Sequence, residues 1–190
     1  MKPIVLPFAL AALLSALPAA AELETYTVDP EHTFPAFEIG HFGYSFQRGR
    51  FTQAAGRITL DTATQKGSAD ITVDTSTVST GHAKLEEHLR TADFFDTAKY
   101  PQMTFKSTNF AFDGEKLKSA TGELTIHGVA RPVTLKAEHF MCAPHPMLKK
   151  KTCGAELTAT IKRSDFGIMT YLPALADDVM LRINVEAIKD

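Results

Sequence analysis

The chain has 190 residues, a formal net charge of −2, 22% charged and 44% hydrophobic residues, and no tryptophan. That length suits one domain with a real core. The balanced, mildly acidic charge excludes nucleic acid as an expected partner, because phosphate recognition wants a clustered basic face. The one basic run, Lys149-Lys150-Lys151, reads as a solvated loop.

The chain opens with the order of a secretory signal. Lys2 supplies a positive start, Ile4 to Leu17 is apolar apart from Pro7 and Ser15, and Ala19-Ala20-Ala21 offers the small residues that signal peptidase needs. Cleavage is expected after Ala21, leaving residues 22–190 as the exported mature domain. As an anchor the run would be too short for ~30 Å of hydrocarbon, and Pro7 and Pro18 interrupt it. Glu22, not a lipid-accepting cysteine, stands directly after the cleavage site and no later segment is apolar enough to span, so stable membrane insertion is not expected.

Period-2 alternation dominates the rest. Strands are expected at Thr25–Asp29, Thr33–Ile39 and Arg48–Asp61, then at Ala69–Asp74, where Ala69, Ile71 and Val73 share one face. His82–Leu89 reads as a helix with Leu85 and Leu89 on one side, capped by Thr80 or Gly81, and short helical turns are expected at His41–Phe46 and Leu172–Ala176. In Gln102–Phe112 the apolar phase switches between Phe105 and Phe110, which a bulge near Ser107–Asn109 would reconcile. Asp113-Gly114-Glu115 reads as a hairpin turn. Further strands run through Leu124-Thr125-Ile126, Val133 to Ala137, Ala155 to Ile161 and Val179 to Ala187. Each has one apolar and one polar face, as in an antiparallel sheet wetted on its outer side.

Eight or nine strands and one short helix suggest a closed barrel or a sandwich. Small residues (Ala69, Gly122, Ala137, Ala155, Ala159, Ala187) lie in phase with larger aliphatics. They either leave room for a slender ligand or interdigitate to fill the interior; the pattern leaves both open. The two cysteines, Cys142 and Cys153, are expected to pair, since export implies an oxidising compartment. A zinc set of His139, Cys142, His145 and Cys153 is the rival, but its spacing is not that of a recognised finger.

No catalytic signature appears. Gly43-Tyr44-Ser45-Phe46-Gln47 lacks the final glycine of a nucleophile elbow, Ser164-Asp165 has no partnered histidine, and there is no phosphate loop or HExxH. His82 and His88 are six apart and do not share a helix face, so no metal site is expected there. The thirteen phenylalanines cluster instead, and Phe94-Phe95 and Ile168-Met169 lie in segments that read as loops. Apolar loops must be buried or line something.

Four ordered motifs carry a resemblance. They are His41-Phe42-Gly43-Tyr44-Ser45-Phe46 with Gly49-Arg50-Phe51; His88 to Asp96 with Tyr100-Pro101 and Thr104-Phe105; Gly122 to Val129 with Pro132-Val133 and Leu135; and Arg163-Ser164-Asp165-Phe166-Gly167-Ile168 with the closing strand Asp178 to Ile188. Over roughly Leu23 to Lys189 the chain resembles the YceI-like family. The Cys142–Cys153 loop lies outside that pattern. The resemblance implies a lipocalin-like, all-β, eight-stranded antiparallel barrel with one short helix, enclosing an apolar pocket for a polyisoprenoid, quinone or other long-chain amphiphile. True lipocalins carry a Gly-x-Trp that this chain lacks, so that likeness is architectural. Many members are periplasmic and some dimeric, so a homodimer stays open. No catalytic residue, metal or cofactor is expected beyond such a bound lipid or quinone.

The expected lining comes from the first aromatic cluster (Phe34, Phe37, Ile39, Phe42, Phe46), from Leu89, Phe94, Phe95, Met103 and Phe105, and from Phe166, Ile168 and Leu172. His41, Arg48, Arg90 and Arg163 are the candidates to meet a polar head at the mouth, since arginine offers a planar fork of donors. For Arg90 and Arg163 the competing reading is an ion pair with Asp93, Asp96 or Asp165. Two other functions stay in view. One is an enzyme acting on a prenyl lipid or small molecule with His41 as base; the other is a filled barrel acting through dimerisation.

Overall fold

A computed structural model describes residues 23–190 of the protein; the expected signal segment and its cleavage site lie outside the described residues. The strands are β1 (Glu24–Val28), β2 (Phe34–His41), β3 (Ser45–Phe51), β4 (Ala54–Asp61), β5 (Lys66–Asp74), β6 (Val78–Ser79), β7 (Gln102–Asp113), β8 (Lys116–Ile126), β9 (Val129–Pro144), β10 (Lys151–Lys162) and β11 (Leu175–Lys189). The helix α1 spans Ala83–Leu89, and 3-10 turns occupy Thr75–Thr77 and Arg163–Phe166.

Neighbouring strands pair antiparallel, and β1 closes the sheet by pairing with both β4 and β11. The ring is therefore the eight strands β1, β4, β5, β7, β8, β9, β10 and β11. Three further segments extend it. β2 continues the line of β1 along the same edge of β11, and β3 continues β4. At the first break the buried hydroxyl of Thr33 stands in for the ladder, accepting from the Glu186 N–H and donating to the Glu186 carbonyl.

The expected strand Arg48–Asp61 is thus two strands. They part at Thr52 and Gln53, whose amides both donate to the Thr77 hydroxyl instead of to a neighbouring strand. His82, not Thr80 or Gly81, caps α1: its Nδ1 accepts from the Leu85 amide, while the Thr80 and Gly81 amides donate to Glu86. His41–Phe46 holds no helical turn. Phe42 and Gly43 both take positive φ (51° and 75°) and the Tyr44 amide donates to the His41 carbonyl. That is the mirror-image turn whose twist suits a hairpin. Leu172–Ala176 is also non-helical, with Leu175 and Ala176 already in β11.

The bulge in β7 falls where the sequence places it, between Ser107 and Asn109. The Ser107 hydroxyl fills the gap by donating to the Thr121 carbonyl and accepting from the Asn109 amide. Asp113 pairs with Lys116 around Gly114 as expected. Cys142 and Cys153 face each other in the β9–β10 ladder and form a disulfide, a covalent rung that consumes both thiols and removes the zinc set. No helix among the described residues is long and apolar enough to cross a membrane.

Candidate functional site

One end of the barrel is plugged. Tyr26, Leu60, Cys153 and Ala187 pack there, with Phe112 and Phe140 against them. Glu24 accepts from the Tyr26 hydroxyl and from the ammonium groups of Lys151 and Lys189. The Lys151 and Lys189 hydrogen bonds, then that from Tyr26, hold its carboxyl down at about 2. Tyr26 is pushed above its usual range by burial and by the Glu24 carboxylate.

The interior above this plug is hollow. Inward positions in a filled barrel are buried. Here Leu181, Ile183 and Val185 of β11, Phe37 and Ile39 of β2, and Leu124 of β8 point inward yet stay only half-buried, because they border a cavity of about 410 Å³. Of the six small inward residues, Ala69, Ala155 and Ala187 border it, and Gly122, Ala137 and Ala159 do not. At Gly122 a Cβ would stand 2.3 Å from the Lys106 carbonyl, so there the missing side chain serves strand approach at the bulge.

The opposite end is built from α1 and the segment after it, from the β2–β3 turn, and from the segment joining the 3-10 turn to β11. β6 covers the free edge of β3 only at Phe51 and Arg50. Beyond that point a portal lies between β3 and α1, with Gln47 and Arg48 on one side and Thr80, Leu85 and His88 on the other, all bordering the cavity. Beneath it Phe95 packs edge-on to both Phe37 and Phe51, which are tilted to each other, with ring centroids 5.2 to 6.1 Å apart. Such pairs add about 1 kcal/mol beyond area burial.

Of the thirteen apolar residues singled out in the sequence, Phe37, Ile39, Phe42, Leu89, Phe94, Phe95, Met103, Phe105, Phe166 and Ile168 border the cavity. Phe34, Phe46 and Leu172 do not. Phe34 and Phe46 fall on the outward phase of β2 and β3; Phe34 lies under the Arg50 guanidinium, and Phe46 is 61% exposed. Leu172 precedes a cis proline in the segment leading to β11 and is not among the residues that line the cavity.

The polar candidates also divide. His41 and Arg48 stand at the mouth, Arg48 bonded to Glu38 at 2.6 Å. Arg90 is turned away and donates to the Ser76 and Val78 carbonyls. Arg163 borders the cavity but is buried, and it donates to the carbonyls of Ala176, Ile168, Thr170 and Leu175. Burial lowers its affinity for the proton. Its fork clamps the segment at the mouth and makes no ion pair with Asp165; Asp93 pairs with His88 instead. His88 and Tyr171 were missed in the sequence. They pack edge-on to each other at 6.1 Å and both border the cavity. The helical spacing from Leu85 to His88 was the available signal for the first.

The chemistry of the lining is one-sided. No carboxylate borders the cavity among the described residues, and Cys153 is held in the disulfide. What remains is a dry hydrocarbon slot with imidazole and guanidinium groups only near its mouth. The YceI-like domain family matches residues 26–187.

The chain belongs to the YceI-like family. It is 38% identical to Protein YceI of Escherichia coli O157:H7, covering 100% of this chain and 99% of that one. It is 40% identical to Protein YceI of Salmonella arizonae, with the same coverage. Among solved structures, a YceI protein of Campylobacter jejuni superposes with a TM-score of 0.67 at 30% identity, covering 80% of this chain and 90% of that one. BcnA of Burkholderia cenocepacia gives 0.72 at 26%, covering 84% and 98%. A polyisoprenoid-binding domain from Saccharophagus degradans shares the fold, with a TM-score of 0.64 at 18% identity over 89% of this chain and 100% of that one. The YceI-like domain thus accounts for residues 26–187, nearly all of the barrel.

Proposed function

We propose that the protein is a periplasmic carrier that binds and sequesters an isoprenoid or similar long-chain amphiphile inside its barrel. The observation that carries this reading is the hollow interior, lined by half-buried inward aliphatics and, among the described residues, by no carboxylate. A cavity of about 410 Å³ falls within the ~300–1,000 Å³ range of small-molecule sites. An isoprenoid tail has almost no hydrogen-bonding groups, so a dry slot is all it needs. Each buried methylene is worth about 0.8 kcal/mol, so ten contribute roughly 8 kcal/mol before association and ordering are subtracted. The head would rest at the mouth near His41, His88 and Arg48. The name of the S. degradans domain agrees with this reading, though its likeness supports the fold alone.

The N-terminal segment through Ala21, read as a cleaved signal, supports a periplasmic address for the mature domain. An enzymatic role would need a second group beside His41, and among the described residues no carboxylate borders the cavity to act with it. Displacement of an environment-sensitive fluorescent fatty probe by an isoprenoid quinone tests the carrier reading. Saturable displacement is expected; a probe that never enters the protein would refute it.

A further inference from the structure

The outer face of β11, β2 and β3 beside the portal sets arginines next to exposed aromatic rings. Alternation puts Phe37, Ile39 and Leu181 inside, so Ala36, Glu38, Met180 and Arg182 face out. On β3 the outward residues are Phe46, Arg48 and Arg50. The register sets Arg182 opposite Ala36 and Ala36 opposite Arg50, so two guanidinium stems flank one small residue about 10 Å apart, two strand spacings. In the next row outward toward the mouth, Met180 and Arg48 flank Glu38. Beyond that, Phe46 stands opposite Gly40 and Tyr44 ends the turn, 91% exposed.

Over the whole of β2, β3 and β11 the four Lys/Arg balance the four Asp/Glu, so what marks this patch is which of its cations lack an acid. Arg48 already engages Glu38, and Lys162 engages Asp178, the outward neighbour of Met180 on β11. Glu138, whose carboxyl feels the charge of Arg182, is held by Lys136 and the Thr158 hydroxyl. Among the described residues neither Arg50 nor Arg182 makes an ion pair; Arg50 lies 5.0 Å over the Phe34 ring. Cations beside exposed aromatics on one face match an anionic bilayer, where guanidinium forks meet phosphates and aromatic rings settle at the headgroup level.

We propose that this face docks the protein on an anionic phospholipid surface, with Arg50 and Arg182 on lipid phosphates and Tyr44 and Phe46 in the interface, bringing the portal against the membrane. That docking serves loading rests on the carrier reading; the docking itself does not.

The test is co-sedimentation of the mature chain with phosphatidylcholine vesicles, with and without phosphatidylglycerol. Binding is expected only with the anionic lipid and should weaken on adding salt. The Arg50→Gln/Arg182→Gln variant should bind about 25-fold more weakly, from about 1 kcal/mol per basic residue near such a surface. Tyr44→Ser/Phe46→Ser should also weaken binding, while Lys149→Gln/Lys150→Gln, at the far hairpin, should not. Circular dichroism confirms that each variant is folded. Equal binding to neutral vesicles, an equal loss from the lysine variant, or no vesicle binding at all, as for a face made for an acidic protein, overturns the proposal. A protein that docks but takes up no probe in vesicle-free solution refutes the carrier reading and leaves docking standing.

Discussion

Filling the barrel from within separates a hollow interior from a packed one. Ala155 sits on β10 between Val185 of β11 and Phe140 of β9, and all three border the cavity. Ala155→Phe adds six carbons at that wall. In a close-packed core such an insertion costs about 1–3 kcal/mol or more through forced rotamers. Here the ring enters empty space, so denaturant-measured stability should hold or rise slightly. The ligand bears the effect. A chain that shared this volume loses up to six methylene-sized contacts at about 0.8 kcal/mol each, an upper bound of about 5 kcal/mol in binding. Probe displacement reads the affinity, and urea unfolding followed by circular dichroism reads the stability. Unchanged affinity would show that the chain does not lie in the barrel. A loss of about 1 kcal/mol of stability or more would show that the interior is already full.

Three other outcomes follow from the same geometry. Reducing the Cys142–Cys153 rung, or replacing both residues with serine, should lower stability by about 3 kcal/mol in the chain-entropy model, seen as a shifted urea midpoint. The Glu24 carboxyl is depressed from 4.5 to about 2, so its contribution is complete above pH 4.5 and is lost as the pH falls toward 2. With its partial exposure taken into account, that amounts to about 1–2 kcal/mol, and Glu24→Gln should flatten the stability–pH curve in this window alone. Arg163→Met leaves four carbonyls without their donor and should cost about 3 kcal/mol. Hydrogen exchange should rise first between Gly167 and Ala174, and unchanged protection there would contradict the clamp.

The strands were legible because their alternation is local. The β7 bulge could be placed from a phase switch between Phe105 and Phe110, and the disulfide from the address of the chain. The break at Thr52 and Gln53 was not legible, because the group that takes their amides, the Thr77 hydroxyl, lies on another segment. Phe34 and Phe46 were readable errors. Counting by twos from Phe37 and Phe51 already puts both outside, but the clustering of aromatic residues outweighed the phase. Gly49 shows the inward register most directly, since a Cβ there would meet the Phe37 ring at 2.5 Å. The role of Arg163 was hidden for a different reason: its partners are backbone carbonyls, which no residue type announces. The portal was hidden because it arises where β6 stops covering β3, a property of strand length in three dimensions.

The most direct measurement is mass spectrometry of the organic extract from the protein exported and purified without detergent. The account predicts an apolar-chain amphiphile in near-stoichiometric amount, absent from an Ala155→Phe preparation made the same way. An extract empty of such a molecule, from a protein that also fails to load one when it is supplied, would contradict it.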